Sequence, residues 1–508
     1  MTINILNYLD ESVERFPNKV AFCDSTGECI TFSQLKKEVE AIGTYIISRF
    51  EGRERPIVIL TERNIKSISS FLAVVYSGNF YVPVDASLPE KRIKDMLDAI
   101  DPLFIINCAN RTIELDEVEV VDYLSLNQNL KIRTRVEVTN MSPLYGIFTS
   151  GSTGLPKLVV KSHSSLISFI DQYVNMFNFN EFDIQGNQIP FYFDASTKDL
   201  FTTLKTGCLT NIIEKGLFSQ PGKLAQYLVD NNITSICWVP SALSMISMFN
   251  VFEKIRPETI RRVLFVGEPM PTKQLKIWKK GLPNARYINL YGSTENAGNS
   301  LFYEVNREFN DDERIPIGRP FPNVKVYLLD EDGNLIKSND TQTSGEICVA
   351  GDILASGYYK SMKLTEEKFI QNPLNKNFYE RIFKTGDVGR YNEDGDIVYL
   401  CRRDYQIKIN GCRVELGDIE CAAMSLAGIQ SVCSLYDEKK KKIVLFYTSK
   451  EDVRDELVAH LKVKLPAYML PSKYIYLEKM PLNANGKIHR TELNQMYYSG
   501  DSNNAKEK

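Results

Sequence analysis

Residues 149–157 read TSGSTGLPK and have the composition of a loop that binds an anion. The stretch contains two glycines, four hydroxyl side chains and a single lysine, Lys157. Gly151 and Gly154 would let backbone N–H groups turn toward one point, where the hydroxyls and the lysine add donors and positive charge for a phosphate chain. A solvent-exposed turn has the same composition, so the loop alone does not decide between these two interpretations.

The segments on either side of this loop predict that it joins two strands. The apolar run LYGIF of residues 144–148 precedes it, and the strand-like LVVKSHSS of residues 158–165 follows it. A P-loop would continue into a helix, and its G-x-x-x-x-G-K-[ST] pattern is absent from the chain.

The composition is that of a globular protein with more than one domain. The chain has 508 residues, of which 43% are hydrophobic and 25% charged, and a net charge of −3. This charge gives no reason to expect a nucleic acid or an acidic membrane as partner, and no apolar run approaches the ~20 residues that span a bilayer. With ten scattered cysteines, no C-x-x-C pair and three histidines, we expect no zinc site. We interpret most cysteines as core residues in a reducing compartment, and the protein as cytoplasmic.

The order of the elements predicts an α/β fold followed by β-rich and α+β parts. Short apolar strands alternate with helical patterns up to about residue 315, which is typical of layered α/β structure with largely parallel strands. After that point period-2 patterns and the dipeptides Asp332-Gly333 and Asp394-Gly395 predict hairpins. Strands are predicted at 55–60, 102–107, 235–240, 261–267 and 286–292, and helices at 90–100, 223–231, 417–425 and 452–464.

Several further segments follow one another in an order that carries a family resemblance. They are ITFSQL (30–35), YVPVDASLPEKRI (81–93), FDAS (193–196), NLYGSTE (289–295), GEICVAGDILASGYY (345–359), FKTGD (383–387), RRDYQIKINGCRVELGDIE (402–420), LPAYMLP (465–471) and NANGK (483–487). With these segments the chain resembles the ANL superfamily of adenylate-forming enzymes. It is most similar to amino-acid adenylation domains of nonribosomal peptide synthetases and to free-standing D-alanine–carrier-protein ligases.

The resemblance implies three parts of the chain. Residues 1–403 would form a large domain of layered α/β subdomains plus a β-rich subdomain, which binds ATP and substrate. Residues 404–495 would form a small, mobile α+β domain, and the polar residues 496–508 a disordered tail.

The reaction implied by the resemblance joins an acid to ATP. A carboxylate oxygen attacks the α-phosphorus and expels pyrophosphate, so two anions must be brought together and their charge neutralised. ATP and Mg²⁺ are therefore expected. The residues that the resemblance assigns to the nucleotide are Thr149, Ser150, Gly151, Ser152, Thr153, Gly154, Lys157, Asn289, Tyr291, Gly292, Thr294, Asp387 and Arg402.

Individual roles follow from the same resemblance. Tyr291 would stack on adenine, Asp387 would accept bonds from both ribose hydroxyls, and Arg402 would support the ribose and phosphate. Thr294 would contact the α-phosphate region, and Glu295 would bind Mg²⁺. Alternatively, Tyr291 is a core aromatic, Asp387 a turn former and Arg402 half of a surface ion pair.

The C-terminal part carries the predicted catalytic lysine. Lys487 would bridge the substrate carboxylate and the α-phosphate, whereas most lysines are simply solvated. Asp404 matches the position of the interdomain hinge, with an ordinary linker residue as the alternative. After domain rotation, the loop at Gly411 would approach the adenylate and admit a pantetheine thiol.

The FDAS segment points to the class of acid. By resemblance, Asp194 pairs with a substrate α-ammonium, and the alternative is a helix N-cap, because a helical pattern follows it. The predicted pocket residues are Asp194, Ala195, Lys198, Ser241, Leu264, Val266, Leu290, Gly298 and Asn299. Lys198 departs from the apolar or aromatic residues of many relatives and from the D-alanine ligases. We interpret it as the partner of an acidic or strongly polar substrate side chain, unless it points to solvent or pairs with Asp199.

The predicted function is therefore activation of an amino acid as its adenylate. The acceptor would be the phosphopantetheine thiol of a separate carrier protein, with free coenzyme A a less favoured acceptor. An acyl- or aryl-CoA ligase of the same superfamily, in which Asp194 is only a cap, is the alternative. A nucleotide-binding protein without catalysis is disfavoured by the presence of Lys487, Asp387 and Glu295.

Overall fold

The computed structural model describes residues 3–111, 118–126, 130–149, 156–311, 313–402, 406–481 and 488–499. By their contacts the residues divide into two units. One unit comprises Met1–Ala86, Ile100–Phe148 and Leu158–Arg403, and the other Ser87–Ala99, Thr149–Lys157 and Asp404–Lys508. The predicted domain boundary after residue 403 falls outside the described residues and stays a prediction.

The strands are short and mostly apolar. They are β1 (Val20–Cys23), β2 (Cys29–Thr31), β3 (Pro56–Thr61), β4 (Phe80–Asp85), β5 (Ile105–Asn107), β6 (Val120–Asp122), β7 (Pro143–Thr149), β8 (Lys157–Ser162), β9 (Ile184–Asn187), β10 (Leu209–Ile212), β11 (Ser235–Trp238), β12 (Arg262–Val266), β13 (Arg286–Tyr291), β14 (Leu301–Glu304), β15 (Arg319–Pro320), β16 (Val324–Leu329), β17 (Gly345–Gly351), β18 (Gly357–Tyr358), β19 (Phe369–Gln371), β20 (Arg381–Tyr391), β21 (Ile397–Arg402), β22 (Gln406–Ile409), β23 (Cys412–Glu415), β24 (Ile429–Asp437), β25 (Lys442–Ser449) and β26 (Lys473–Tyr476).

The helices alternate with these strands in the first part of the chain. They are α1 (Asn7–Arg15), α2 (Phe32–Arg49), α3 (Ile65–Tyr76), α4 (Glu90–Ile100), α5 (Tyr123–Leu126), α6 (His163–Phe177), α7 (Thr197–Thr206), α8 (Pro221–Asp230), α9 (Pro240–Met248), α10 (Thr272–Gly281), α11 (Met362–Lys368), α12 (Leu416–Met424), α13 (Arg454–Lys464) and α14 (Arg490–Ser499). Helix α14 continues through residues 496–499, which the sequence analysis assigns to the tail.

Two large sheets form the frame of the first unit. The nine-stranded sheet has the order β15-β14-β13-β12-β11-β9-β10-β1-β2, and its central pairs from β13 to β1 are parallel. The seven-stranded sheet has the order β18-β8-β7-β4-β3-β5-β6. Strands β7 and β8 are neighbours in it, so the loop of residues 150–156 joins two adjacent strands, as the sequence predicts.

Helices α2, α3, α6 and α7 pack between these two sheets. The largest hydrophobic cluster contains buried residues of all four helices together with residues of both sheets. Alternation along β12 sends Leu264 and Val266 into this cluster and Val263 and Phe265 into a second cluster with α8, α9 and α10. Each strand at the centre is thus covered on both faces, which explains its uninterrupted apolar sequence.

A third sheet and a small C-terminal fold complete the architecture. The five-stranded sheet has the order β16-β17-β20-β19, with β21 paired to β20, and the hairpin predicted at Asp394-Gly395 connects β20 with β21. In the second unit β24, β25 and β26 form a sheet against which α12 and α13 pack. The predicted α/β class with a β-rich subdomain and a small α+β part is confirmed.

The cysteines are partly as expected. Six of the free thiols in the described part of the chain are buried, whereas Cys401 is exposed. Cys23 and Cys29, which face each other across β1 and β2, form a disulfide instead of remaining reduced. Among the residues that the structure describes, no helix is both long and apolar enough to cross a membrane.

Two helical glycines provide a test of the packing between α2 and α3. A Cβ on Gly43 would lie 2.5 Å from the ring of Tyr76, whereas a Cβ on Gly222 in α8 would have nothing within 4 Å. We expect Gly43→Ala to lower the free energy of unfolding by about 1–3 kcal/mol through overpacking. Gly222→Ala should raise it by up to about 1 kcal/mol, because alanine is the better helix former. Urea unfolding measures both, and equal effects of the two substitutions would contradict this packing.

Candidate active site

The loop of residues 292–300, between β13 and β14, is shaped by two glycines. A Cβ on Gly292 would lie 2.6 Å from the carbonyl oxygen of Gly298. Gly298 has a φ of +70°, and a Cβ there would lie 2.2 Å from the ring of Phe169. Neither position accepts a side chain without rearrangement, so the backbone of this loop folds back closely on itself.

A bulge in β20 presents Asp387. Lys384 pairs with Cys348 and Val388 pairs with Glu346, so residues 385–387 stand opposite the single residue Ile347 of β17. Gly386 within the bulge has a φ of +76°, and its N–H donates to the Glu346 carboxylate at 3.0 Å. The bulge turns Asp387 out of the regular ladder and opposite Arg402 of β21.

Both oxygens of the Asp387 carboxylate have partners. The Tyr291 hydroxyl donates to Oδ2, and the Arg402 guanidinium donates to Oδ1 at 2.8 Å and also to the Thr385 carbonyl at 3.1 Å. Burial and the adjacent carboxylate raise the pKa of Tyr291 well above its ordinary value, so its hydroxyl remains a donor. Three sequence-predicted nucleotide residues are therefore brought together, and Arg402 pairs with Asp387 rather than with a surface group.

Glu295 lies fully buried in the loop between β13 and β14. Its Oε1 accepts a hydrogen bond of 2.7 Å from the Tyr358 hydroxyl, and its carbonyl accepts one from the Ala355 N–H. No group of three or more metal-ligating residues occurs in the described ranges. A single carboxylate nevertheless fits Mg²⁺, which takes one or two protein ligands and completes its shell with phosphate oxygens and water.

Asp194 is the centre of a second buried cluster. Its Oδ1 accepts hydrogen bonds from the Tyr145 hydroxyl at 2.8 Å and from Lys161 Nζ at 2.5 Å. Its Oδ2 accepts a longer one of 3.4 Å from the Gly298 N–H. Asp194 is the first residue of a 3-10 helix (Asp194–Ser196), and no side chain caps that helix or α7. The alternative interpretation of Asp194 as an N-cap is therefore wrong.

The apolar residues of the predicted pocket share one face of the nine-stranded sheet. Leu264 and Val266 of β12 and Leu290 of β13 are buried in the same cluster, and Val266 pairs directly with Leu290. Asn299, near the end of the loop between β13 and β14, is 2% exposed, and its side-chain carbonyl oxygen has no hydrogen-bond partner among the described residues. Ala195 is half-buried against this cluster.

Lys198 is buried in α7, and its ammonium group has no hydrogen-bond partner among the described residues, although it interacts electrostatically with the Asp199 carboxyl. The side chain is 1% exposed, and Nζ makes no hydrogen bond to the described residues, so it neither points to solvent nor hydrogen-bonds Asp199. Burial raises the pKa of the Cys237 thiol to about 11, and the nearby Lys198 ammonium opposes that rise. Cys237 pairs with Leu264, which places Lys198 on the pocket side of the sheet.

The remaining predicted residues are dispersed or lie outside the described ranges. Asn289 donates its amide to the Pro316 carbonyl at 2.8 Å, and Thr294 and Ser241 are half-buried. The Thr149 hydroxyl donates to the Lys157 carbonyl at 3.4 Å. Gly411, with a φ of +79°, lies in the two-residue turn between β22 and β23. Ser150, Gly151, Ser152, Thr153, Gly154, Asp404 and Lys487 lie outside the described residues.

Three residues of these clusters were missed in the sequence analysis. Lys161 and Tyr145 hold Asp194, and Tyr358 holds Glu295. A signal existed for Lys161, since a lysine inside the strand-like run LVVKS is unusual. Its buried carboxylate partner lies 33 residues further along the chain, which no local pattern indicates.

Comparison with known proteins identifies the family. Residues 9–359 match the family described as AMP-binding enzyme, and residues 418–487 match the AMP-binding enzyme C-terminal domain. The chain belongs to the family of AMP-binding enzymes.

Individual relatives of this AMP-binding enzyme are peptide synthases and adenylation domains. It is 30% identical over 495 residues to gramicidin S synthase 1 of Brevibacillus brevis, covering 95% of this chain and 44% of that protein. It is 31% identical over 493 residues to bacitracin synthase 3 of Bacillus licheniformis, covering 95% of this chain and 8% of that protein. The chain spans less than half the length of the curated relatives it matches.

Solved structures show the same fold. The Vibrio cholerae adenylation domain AlmE, in complex with glycyl-adenosine-5'-phosphate, has a TM-score of 0.84 at 21% identity and 98% coverage of both chains. Holo-PA1221, an NRPS protein containing adenylation and PCP domains, has a TM-score of 0.83 at 23% identity, covering 96% of this chain and 84% of that one.

The buried carboxyl of Asp199, next to Lys198, gives this AMP-binding enzyme a pH-dependent stability. Burial raises the pKa of Asp199 from 3.8 to about 6 in the folded state, although the Asn187 amide donates to it at 2.8 Å. Since the folded state then holds this proton to a higher pH than the unfolded chain, the free energy of unfolding falls as pH rises through this range. Between about pH 5 and about pH 7.5 the free energy of unfolding of the wild type should fall by about 1 kcal/mol more than that of Asp199→Asn. Urea unfolding at both pH values measures the difference, and parallel pH profiles would exclude a raised pKa.

Proposed function

We propose that this enzyme activates the carboxylate of an amino acid with ATP and passes the acyl group to a carrier-protein thiol. In the first step a carboxylate oxygen bonds to the α-phosphorus of ATP while the bond to the bridging oxygen breaks, and pyrophosphate leaves. In the second step the phosphopantetheine thiolate bonds to the acyl carbon and AMP leaves.

The path of the loop of residues 292–300 is the observation that supports the adenylation step. The loop of residues 292–300 follows Tyr291, contains Glu295 and reaches Asp194 through the Gly298 N–H. The same backbone segment thus connects the residues proposed for the nucleotide with the carboxylate proposed for the acid. Bond formation between an acid and a phosphate requires that these two sites adjoin, so this arrangement supports adenylation.

The Asp387 cluster is proposed as the ribose site. A carboxylate can accept bonds from two neighbouring hydroxyls, and the Arg402 guanidinium that holds Asp387 also brings positive charge to the site. Tyr291, fixed by its hydroxyl on Asp387, would offer its ring to adenine. We further propose Asn289, Gly292 and Thr294 as nucleotide residues.

Further roles are proposed from the family resemblance. The loop from Thr149 to Lys157 would hold the β- and γ-phosphates, and Lys487 would offset negative charge as the acyl–phosphate bond forms. Asp404 would serve as the hinge, and the turn at Gly411 would line the path of the thiol. Glu295 would be the protein ligand of Mg²⁺, which neutralises phosphate charge when bound.

Two solved relatives support the substrate and partner classes. AlmE was solved with glycyl-adenosine-5'-phosphate, and PA1221 contains adenylation and PCP domains. We therefore propose an amino acid as substrate and a separate phosphopantetheinylated carrier protein as acceptor in preference to coenzyme A. Because the reaction consumes ATP, we propose that it takes place in the cytoplasm.

Lys198 is proposed to select the side chain of the substrate. An ammonium group taken out of water without a hydrogen-bond partner is unfavourable, and a carboxylate from the ligand would provide one. The pocket residues Leu264, Val266 and Leu290 offer no competing charge. We therefore propose an acidic amino acid, such as aspartate or glutamate.

Exchange of labelled pyrophosphate into ATP tests the adenylation step. We expect exchange with at least one amino acid and none without acid. Asp387→Asn should raise the KM for ATP about tenfold or more, because an amide offers one acceptor oxygen where the carboxylate has two. Asp332→Asn, at an exposed turn of the same sheet region, is the matched control and should leave this KM unchanged.

The outcome separates the candidate functions. Exchange with fatty or aryl acids alone, followed by transfer to coenzyme A, would replace the proposal by the acyl- or aryl-CoA ligase. No exchange with any acid of a broad panel would contradict an adenylating enzyme.

Substitution of Lys198 tests the side-chain assignment. Wild type should favour glutamate or aspartate over glutamine or asparagine in kcat/KM, and Lys198→Met should reduce this preference about a hundredfold, since it removes one partner of a buried charge pair. The unliganded variant should melt no lower than wild type, because a buried ammonium group without a hydrogen-bond partner is removed. Lys205→Met is the control, because Lys205 of the same helix pairs with Asp171 at 3.0 Å. An unchanged preference in Lys198→Met would refute the assignment.

A further inference from the structure

Lys161 brings a positive charge from within the chain to the proposed amine site. It lies in β8 with 0% exposure, and its Nζ is 2.5 Å from Oδ1 of Asp194. Nζ also donates to the Asn296 carbonyl at 3.1 Å and lies 5.1 Å from the centre of the Tyr145 ring. With two fixed acceptors, the ammonium group is held in place on Asp194.

The two oxygens of Asp194 are used unequally. Oδ1 accepts from both Tyr145 and Lys161, whereas Oδ2 accepts only the 3.4 Å contact from the Gly298 N–H among the described residues. Oδ2 is therefore the oxygen left for an ammonium group of the substrate. Lys161 already compensates the carboxylate from the other side.

A site without such a lysine would require a substrate that carries an ammonium group. If the acid lacked an ammonium group, a buried carboxylate would remain without a counter-charge, which is strongly unfavourable. In this chain the carboxylate keeps Lys161 in either case. Loss of the substrate amine then removes one favourable contact and leaves no uncompensated charge.

We propose that Lys161 is a specificity-determining residue that relaxes the requirement for a substrate amine. This proposal rests on the proposed function, because Asp194 is taken as the amine site of an adenylating enzyme. The enzyme accepts an acid without its α-amino group nearly as well as the corresponding amino acid. The substrate class thus extends from amino acids to their des-amino analogues.

The test compares matched pairs of acids in pyrophosphate exchange. The pairs are L-glutamate with glutarate, L-alanine with propionate, and L-phenylalanine with 3-phenylpropionate. In wild type the ratio of kcat/KM between the amino acid and its analogue should stay within about tenfold, the effect of one hydrogen bond. In Lys161→Met the ratio should rise to about a hundredfold or more, because only a substrate ammonium can then compensate Asp194.

Three further variants separate this role from a general effect on folding. Lys161→Arg keeps the charge and should keep the wild-type ratio. The double variant Lys161→Met with Asp194→Asn removes both charges and should bring the ratio near one. Lys205→Met, which removes a lysine paired with Asp171, should not change it. A thermal melt of each variant verifies its fold. If Lys161→Met does not fold, the comparison of the ratios in wild type and the double variant tests the role of Lys161.

Results that contradict the role of Lys161 can be told apart from results that contradict the proposed function. A wild-type ratio above about a hundredfold, or an unchanged ratio in Lys161→Met, would overturn the role of Lys161. If amino acids give no exchange but glutarate or propionate does, the amino-acid proposal fails, while loss of that exchange in Lys161→Met still supports Lys161. Affinities of L-alanyl- and propionyl-sulfamoyl adenosine, measured without turnover, give the same ratio for a preparation that shows no exchange.

Discussion

A charge removed from water must meet a partner, and around Asp194 the fold satisfies this requirement with groups from separate segments. Tyr145 and Lys161 come from neighbouring strands of the seven-stranded sheet, and the Gly298 N–H comes from a loop of the nine-stranded sheet. The carboxylate is therefore a polar contact that joins the two sheets within a mostly apolar layer. Its position depends on both sheets being correctly packed.

The same principle organises the proposed nucleotide site. Asp387 accepts from Tyr291, at the end of a strand of the nine-stranded sheet, and from Arg402, in the five-stranded sheet. Hydrogen bonds to these two buried carboxylates thus connect the three sheets of the first unit. Lys198 is a contrast, because its buried ammonium has no hydrogen-bond partner among the described residues. Asp194 and Asp387 are compensated by groups of the chain itself, Lys161 and Arg402.

Many elements of the fold could be predicted because their signals are local. The apolar run at 261–267 contains β12, the pattern at 90–100 coincides with α4, and Asp394-Gly395 connects β20 and β21. The bulge that presents Asp387 was not predicted. It arises in the pairing of β20 with β17, and nothing in FKTGD alone specifies how many residues stand opposite Ile347.

The sequence by itself determined the family, the layered α/β class and the identity of Asp194, Asp387 and Glu295 as candidate residues, because ordered motifs and periodicity are properties of the chain read in one dimension. Only the tertiary structure decided which groups these carboxylates meet. Lys161 and Tyr358 come from parts of the chain far from Asp194 and Glu295, and their pairing depends on strand order and on burial. Charged groups interact through space, so which charges meet at a site is decided only when the sheets are assembled.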